Sequence, residues 1–186
     1  MKSLRSILGL DALPIVIVLG TAFTSAVNGS GSVPTRVALV SAKGEQLVGD
    51  NVVGDVQITF EDGHVQKLTS SGQSSSPQIS TKGDVGWIDT SADKLMLRHA
   101  DGKIEQVNPE KGFPYLLSWS FADGDSAIVL LCGTKHDIVV FVKHDIATGK
   151  ITGRVNHPED YNKLPDWAKR AARGHPFGSI QNVPNK

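Results

Sequence analysis

The segment TKHDIVVFVKHDI, residues 134–146, contains the triplet Lys-His-Asp twice, eight positions apart. A histidine beside an aspartate is a pairing used in general acid–base catalysis, and histidine and aspartate also bind metal ions. In an extended strand at about 3.3 Å per residue, however, His136 and His144 are roughly 26 Å apart and cannot share one site. The apolar IVVFV between them is typical of a buried central strand. Each triplet is therefore predicted to be a polar strand end.

The rest of the sequence shows no catalytic motif of the G-x-S-x-G, H-E-x-x-H, C-x-x-C or G-x-x-x-x-G-K type. Asp123-Gly-Asp125 resembles the start of a calcium loop, but Ala127 occupies a ligand position, so a turn is predicted. Cys132 lies in the apolar VLLCG, which predicts a buried, inert thiol. We expect no metal, no cofactor and no enzymatic activity, with a small hydrolase that uses His and Asp at loop tips as an alternative.

Composition is that of a soluble globular protein, with 39% hydrophobic and 20% charged residues in a chain of 186. The 19 basic and 19 acidic residues balance. No overall positive field therefore attracts nucleic acid or an anionic membrane, and both are disfavoured as partners. We expect no nucleic-acid partner, and no stable membrane insertion if the amino-terminal segment is cleaved.

The amino terminus has the pattern of a secretory signal peptide. Lys2 and Arg5 precede an apolar stretch, residues 12–27, that ends in small residues suited to cleavage after Ala26. Residues 1–26 are therefore predicted to direct export to the periplasm or the medium. An uncleaved membrane anchor is the alternative, although the stretch is shorter than the roughly 20 residues that span a bilayer.

Residues 27–34 are predicted to form a linker, and residues 35–186 a single β-repeat domain. Short apolar runs such as DVQITF, DVGWID and SAIVLLC alternate with turn sequences such as EDGH, ADGK and ADGD. This alternation is typical of antiparallel hairpins. The prediction is an all-β fold, either a partial β-propeller-like array or a twisted two-sheet domain.

The turns also recur at a spacing near 40 residues. The Asp-Gly pairs at 62–63 and 101–102 are 39 apart, and Gly83 and Gly124 are 41 apart. Four short strands per 40 residues are the signature of propeller blades. The segment LTSSGQSSSPQISTKGDVGWID, residues 68–89, resembles the WD40-like repeat of TolB-type β-propellers. That resemblance implies a propeller-like fold and no particular function.

Too few repeats are present to close a ring of four to eight blades. An incomplete ring leaves sheet edges or a concave face available to another protein, or to a second copy of the chain. At the carboxyl end, residues 165–173 are predicted to form one short helix, with Pro165 in its first turn and Leu164, Trp167, Ala168 and Ala171 on an apolar face.

Two polar segments are candidates for partner binding. They are the Ser-rich stretch 69–77 and the turn FADGDSA, and the residues predicted to contact a partner are Ser74, Ser75, Ser76, Asp123, Asp125 and Ser126. The Ser-rich stretch is interpreted as a loop, which serves either as a connector or as a probe inserted into a partner's cleft.

Size, export and architecture together make the chain look like the periplasmic immunity proteins that block cell-wall-degrading amidase effectors of type VI secretion. This resemblance implies an exported binding protein whose partner is a secreted peptidoglycan-degrading effector. The alternative is an envelope scaffold that self-associates to complete a propeller-like ring and resembles the TolB family only in fold.

Overall fold

The computed structural model describes residues 32–49, 52–136, 138–156 and 163–173 of the chain. All of them fall within one compact unit, Gly31–Lys186. The elements are β1 (Pro34–Val40), β2 (Gln46–Leu47), β3 (Asp55–Phe60), β4 (Val65–Lys67), β5 (Ser74–Ile79), β6 (Val85–Asp89), β7 (Lys94–Arg98), β8 (Ile104–Val107), β9 (Tyr115–Ala122), β10 (Ala127–Gly133), β11 (Val139–Asp145), β12 (Ile151–Asn156) and the helix α1 (Asp166–Arg173).

Within the described residues, twelve strands form three four-stranded sheets, and all strand pairs are antiparallel. Sheet 1 has the order β2-β1-β3-β4, sheet 2 the order β5-β6-β7-β8, and sheet 3 the order β12-β11-β10-β9. The predicted all-β, antiparallel fold with one short carboxyl-terminal helix is confirmed. Three sheets of four strands fit the partial propeller-like alternative rather than the two-sheet one.

The predicted Gly-containing turns connect the strands at one end of each sheet. Gly63 lies between β3 and β4, and Gly102 occupies the same position between β7 and β8. Their φ angles of 84° and 90° lie in the left-handed region that glycine adopts without strain. The 39-residue spacing of these Asp-Gly pairs therefore reflects equivalent turns in successive sheets.

Apolar side chains fill the spaces between the sheets. One cluster joins sheets 1 and 2, and its buried members are Leu39, Val56, Ile58, Phe60, Val85 and Trp87. A second cluster joins sheets 2 and 3 and contains Trp119, Phe121, Leu95, Leu97 and Cys132 among its buried members. Each sheet packs one face against its neighbour, so the three sheets form a continuous stack with apolar side chains buried between them.

Interior strand β11 contains the second Lys-His-Asp triplet. Its first four residues, 139–142, are all buried, and β11 pairs with β10 on one side and β12 on the other. His144 lies near the carboxyl end of this strand, whereas His136 precedes it in an exposed turn. Asp137 lies outside the described residues. The prediction that the triplets flank an interior strand is confirmed for the described part.

Helix α1 covers the other face of sheet 3. Its alanines pack against strand residues in a third buried cluster, with members Val129, Leu131, Val139, Phe141, Leu164, Ala168, Ala171 and Ala172. Small side chains let the helix lie close to the sheet. The helix begins at Asp166, one residue after the predicted start. Within the described part of the chain, no helix has the length and apolar character needed to cross a membrane.

Sheet 1 presents a mostly polar face at the opposite end of the stack. Strand alternation places Arg36, Gln46, Gln57, Thr59 and Lys67 on the side that faces away from sheet 2. Each of these residues is exposed or partly exposed. The predicted signal peptide, residues 1–26, and most of the predicted linker lie outside the described residues, and both stay predictions.

Candidate functional site

The three candidate serines lie in strand β5 rather than in a loop. Ser74 is buried at 2% exposure, and its hydroxyl donates to Thr69 Oγ1 at 3.2 Å. Its backbone N–H and carbonyl both pair with Gly54, which ties β5 to sheet 1. Ser75 is half-buried, and Ser76 is exposed with φ of 49°. The loop interpretation of residues 74–77 is therefore wrong, because these residues begin the first strand of sheet 2.

This serine strand also anchors sheet 3. The indole Nε1 of Trp119 donates to the Ser76 carbonyl at 2.9 Å, and the Gln78 amide donates to the Trp119 carbonyl at 2.7 Å. The residues in these pairs are separated by 43 and 41 positions in sequence, so local pattern could not reveal the contacts. The polar character of β5 serves packing between sheets, and the buried Ser74 side chain is not accessible to a partner.

The other candidate residues form a tight turn between β9 and β10. Asp123, Gly124 and Asp125 all have positive φ, between 52° and 64°. Asp123 pairs with Lys143 at 2.7 Å, and Asp125 Oδ2 accepts from both the backbone N–H and the hydroxyl of Thr81 at 2.7 Å. The turn is thus fixed to its surroundings and does not project as an independent loop.

Asp125 and Ser126 line a cleft of about 430 Å³ where the turns of sheets 2 and 3 meet. Four turns supply its walls: β5–β6, β7–β8, β9–β10 and β11–β12. The lining residues are Lys82, Asp84, His99, Asp101, Lys103, Glu105, Asp125, Ser126, Asp145, Ile146 and Ala147. Eight of these eleven are charged residues or histidine, so the cleft differs from the apolar pockets that usually hold small molecules.

Hydrogen bonds hold the walls of the cleft in position. Asp84 Oδ1 accepts from the backbone N–H of Ala100 at 3.0 Å, which joins the β5–β6 turn to the β7–β8 turn. Asp84 Oδ2 also accepts from the hydroxyl of Ser80 at 3.3 Å. Across the cleft, Asp145 accepts from both the backbone and the hydroxyl of Thr148. The wall is therefore largely formed before any ligand binds.

The cleft carries an excess of negative charge. The lining residues include five carboxylates and two lysines, so the lining has a formal charge of −3 when His99 is neutral. Partial burial raises the pKa of Asp125, but the hydrogen bonds from Thr81 and the charges of Arg170 and Lys82 outweigh it and lower the pKa overall. Hydrogen bonds from Thr148 lower the pKa of Asp145. Both of these carboxylates therefore remain ionised in neutral and mildly acidic solution.

His99 lies between two carboxylates of this cleft. Its Nε2 is 3.3 Å from Glu105 Oε1, and its Nδ1 is 3.9 Å from Asp84 Oδ1. The side chain of His99 is 21% exposed, while that of Glu105 is 35% exposed. The sequence places His99 at a hairpin end beside the Asp101-Gly102 turn, where a polar residue is common without any function in binding. The contacts with Asp84 and Glu105 depend on the pairing of β6, β7 and β8, which residue spacing alone does not reveal.

The geometry of the described residues does not indicate a metal site or a reactive thiol. Within residues 32–49, 52–136, 138–156 and 163–173, no three His, Cys, Asp or Glu side chains are grouped as a metal site requires. Cys132 is completely buried between sheets 2 and 3, and burial raises the pKa of its thiol to about 11. A thiol in this environment stays protonated and is a poor nucleophile.

Comparison with known proteins finds partial matches among solved structures but no family. Neither a protein-family model nor a curated protein matches the chain. Among solved structures, it resembles virginiamycin B lyase from Staphylococcus aureus, both a catalytically inactive variant with quinupristin and the selenomethionine-substituted protein, each with 17% identity and a TM-score of 0.42. A streptogramin B lyase structure matches with 15% identity and a TM-score of 0.29.

These matches cover 72% and 71% of this chain but 44% of each virginiamycin B lyase chain, so the chain spans less than half of their length. For the streptogramin B lyase the shares are 65% and 54%. The prediction that the chain is not an enzyme is contradicted, because these similar structures are those of lyases, and we withdraw it. At this level of similarity, neither their activity nor their substrates transfer to the present chain.

Proposed function

We propose that the chain is an exported protein-binding domain that takes a positively charged segment of its partner into the cleft between sheets 2 and 3. The main support for this proposal is the formal charge of −3 in a cleft of about 430 Å³ whose walls are fixed by hydrogen bonds. Complementary charge steers association and selects partners.

Two carboxylates are best placed to meet such a cation. Glu105, in β8, is half-buried, and Asp101, in the β7–β8 turn, is exposed. Asp101 Oδ1 accepts one hydrogen bond, from the backbone N–H of Lys103 at 2.9 Å. Asp125 and Asp145 each accept two, from Thr81 and Thr148, so they contribute charge more than free acceptor positions. The charged walls favour a side chain projecting from a protein over a small apolar ligand, because desolvating them requires compensating charge.

One specific form of partner binding is that the chain blocks a toxin by inserting a loop into the toxin's active-site cleft. The described geometry favours the opposite arrangement, in which the present chain supplies the cleft. The serine segment is a strand that holds sheet 3 through Trp119, and the Asp123–Ser126 turn is fixed through Thr81. A secreted peptidoglycan-degrading effector is retained as a proposed partner class. In this arrangement the effector would supply the basic segment and the present chain would supply the cleft.

Self-association into a ring is less well supported, because both ends of the sheet stack are covered or polar. Helix α1 occupies the outer face of sheet 3, and the outer face of sheet 1 carries residues such as Arg36, Gln57 and Lys67. A second copy could continue the stack at sheet 3 only after the helix had been displaced. Terminal polar faces and caps are typical of repeat stacks that end rather than extend.

Binding of a cationic peptide tests the proposed cleft. Acetylated, amidated tetralysine carries four positive charges, and we expect it to shift the backbone NMR signals of the four turns that form the cleft. The double variant Asp101→Asn, Glu105→Gln is expected to bind it about tenfold more weakly, because two unit charges near the ligand are removed. The affinity is measured by isothermal titration calorimetry at an ionic strength of about 0.15 M, where the Debye length is about 8 Å.

A matched variant controls for the change in net charge. Glu45→Gln, Asp93→Asn removes the same two charges from the β1–β2 and β6–β7 turns, which lie at the other end of the sheets from the cleft. This control is expected to bind tetralysine within about twofold of the unmodified chain, because charges beyond a Debye length are screened. Equal weakening by both double variants, or equal binding of tetraglutamate, would contradict the cleft proposal.

The proposal that the chain is exported rests on its amino-terminal pattern, in which basic residues precede the apolar stretch 12–27. We expect the chain to be recovered outside the cytoplasm, with a mature amino terminus at residue 27 in mass spectrometry. Recovery of the intact chain from the cytoplasmic fraction would argue against export. Recovery of the uncleaved chain in the membrane fraction would favour the anchor.

A further inference from the structure

His99 lies in a cleft that has charged groups on every wall. Asp84 and Glu105 lie at its two ring nitrogens, and Arg98 donates to its backbone carbonyl at 3.2 Å. The other charged residues of the cleft lining are Lys82, Asp101, Lys103, Asp125 and Asp145. Histidine is the ordinary side chain that changes charge between pH 5 and pH 8. A change in its charge therefore acts directly on the proposed binding surface.

We propose that His99 makes cation binding in this cleft pH-dependent, so that binding is strong when the imidazole is neutral and weakens as the pH falls. This inference rests on the proposed function of the cleft. It adds a regulatory role for a histidine located between Asp84 and Glu105.

The geometry provides a direct competition for Glu105. A protonated imidazole has two N–H donors, and each ring nitrogen faces one carboxylate. Asp84 is held by Ala100 and Ser80, so it stays in place on the Nδ1 side. Protonated His99 pairs with Glu105 through Nε2 at the position that a ligand cation would use. Neutral His99 leaves the negative charge of Glu105 available to the ligand.

Protonation of His99 also reduces the electrostatic attraction of the whole cleft. The formal charge of the lining changes from −3 to −2 when the imidazole gains a proton. Both effects have the same sign, because each lowers the affinity for a cation at lower pH. A proton and a bound cation therefore oppose each other, and thermodynamic linkage requires that the opposition be reciprocal.

Tetralysine is a suitable probe because its ammonium groups, with an ordinary pKa near 10.4, keep their charge between pH 5.5 and pH 8. We expect its affinity for the unmodified chain to fall about fivefold between pH 8 and pH 5.5, as the loss of one nearby unit of negative charge predicts. His99→Gln, which cannot titrate, is expected to bind with nearly the same affinity at both pH values. His136→Gln, in the exposed turn at the other end of sheet 3, is expected to retain the full dependence.

A second measurement does not depend on a variant. The ring-proton NMR signal of His99 reports its titration, and saturating tetralysine is expected to move the titration midpoint to lower pH. If binding is pH-independent while Asp101→Asn, Glu105→Gln still weakens it, the role of His99 is overturned and the cleft proposal stands. If tetralysine fails to bind at any pH, both are overturned. An unmoved His99 titration midpoint at saturation also overturns the inference.

Discussion

Replacing Gly86 with alanine is expected to destabilise the fold by about 2–3 kcal/mol, a typical cost of overpacking a core. Gly86 lies in β6, where a Cβ atom would overlap Cη2 of the Trp119 indole. The ring cannot move away easily, because its Nε1 donates to Ser76 and its edge packs on Phe121 at 5.1 Å between centroids. The free energy of unfolding is measured by urea denaturation.

A smaller ring at position 119 should relieve this clash. In a Trp119→Phe background, the atoms that would contact the new Cβ are absent, so the additional cost of Gly86→Ala is expected to fall below about 1 kcal/mol. Trp119→Phe alone also destabilises the chain, because it leaves the Ser76 carbonyl without its indole donor. Trp87 and Trp167 still report unfolding by fluorescence in this background.

Gly133 provides a matched control in β10. A Cβ atom there would be 2.7 Å from Cδ1 of Leu117, which is the end of a side chain that is 36% exposed and able to move. Gly133→Ala is therefore expected to cost less than about 1 kcal/mol. Equal costs for Gly86→Ala and Gly133→Ala would show that the indole contact does not determine the packing of sheet 3 on sheet 2, as would a cost undiminished by Trp119→Phe.

The packing of the Trp119 indole on Gly86 illustrates which parts of the fold can be predicted from the sequence. The Gly-containing turns and the apolar runs between them predict antiparallel strands, because the turn conformations and the alternation of side chains are local properties. The run DVGWID was correctly predicted as a strand, but its glycine gave no sign that an indole from residue 119 would fill the space above it. Which sheet packs on which depends on contacts more than 40 residues apart.

The serine segment was misassigned for a related physical reason. Ser, Gly and Pro favour turns in isolation, and residues 69–77 contain no large apolar side chain that would indicate a strand. Ser74 nevertheless pairs with Asp89 of β6 and makes two backbone hydrogen bonds to Gly54, and the Ser76 carbonyl accepts from Trp119. Tertiary hydrogen bonds thus overrode the local preference, as they often do for strands.

The candidate site was predictable only in part. The turn containing Asp123, Asp125 and Ser126 was identified by its polar composition, and Asp125 and Ser126 do line the cleft. His99 and Glu105 were not proposed as site residues, because each has an ordinary place in a hairpin. Their proximity follows from the register of β7 and β8, in which Leu97 pairs with Glu105 and Arg98 with Ile104. Whether a partner binds at any of these positions stays a prediction.

Placing a charge beneath helix α1 is expected to cause a second large loss of stability. Ala168 is completely buried against sheet 3, so Ala168→Glu would bury an unpaired carboxylate unless the helix detached. We expect the variant to lose more than about 3 kcal/mol of stability, as uncompensated buried charges do. Detachment would expose the apolar face formed by Val129, Leu131 and Phe141.

Exposure of this face should make the chain self-associate, because a sheet face of fully apolar side chains is a docking surface once its cover is removed. Sedimentation velocity should therefore show a single small species for the unmodified chain and larger species for Ala168→Glu. The control is Arg173→Ala, an exposed change on the same helix, which is expected to stay within about 0.5 kcal/mol and to remain unassociated. An Ala168→Glu variant that is destabilised but not associated would show that α1 stabilises sheet 3 without preventing contact between copies, and the objection to a self-associating ring would then lose its support.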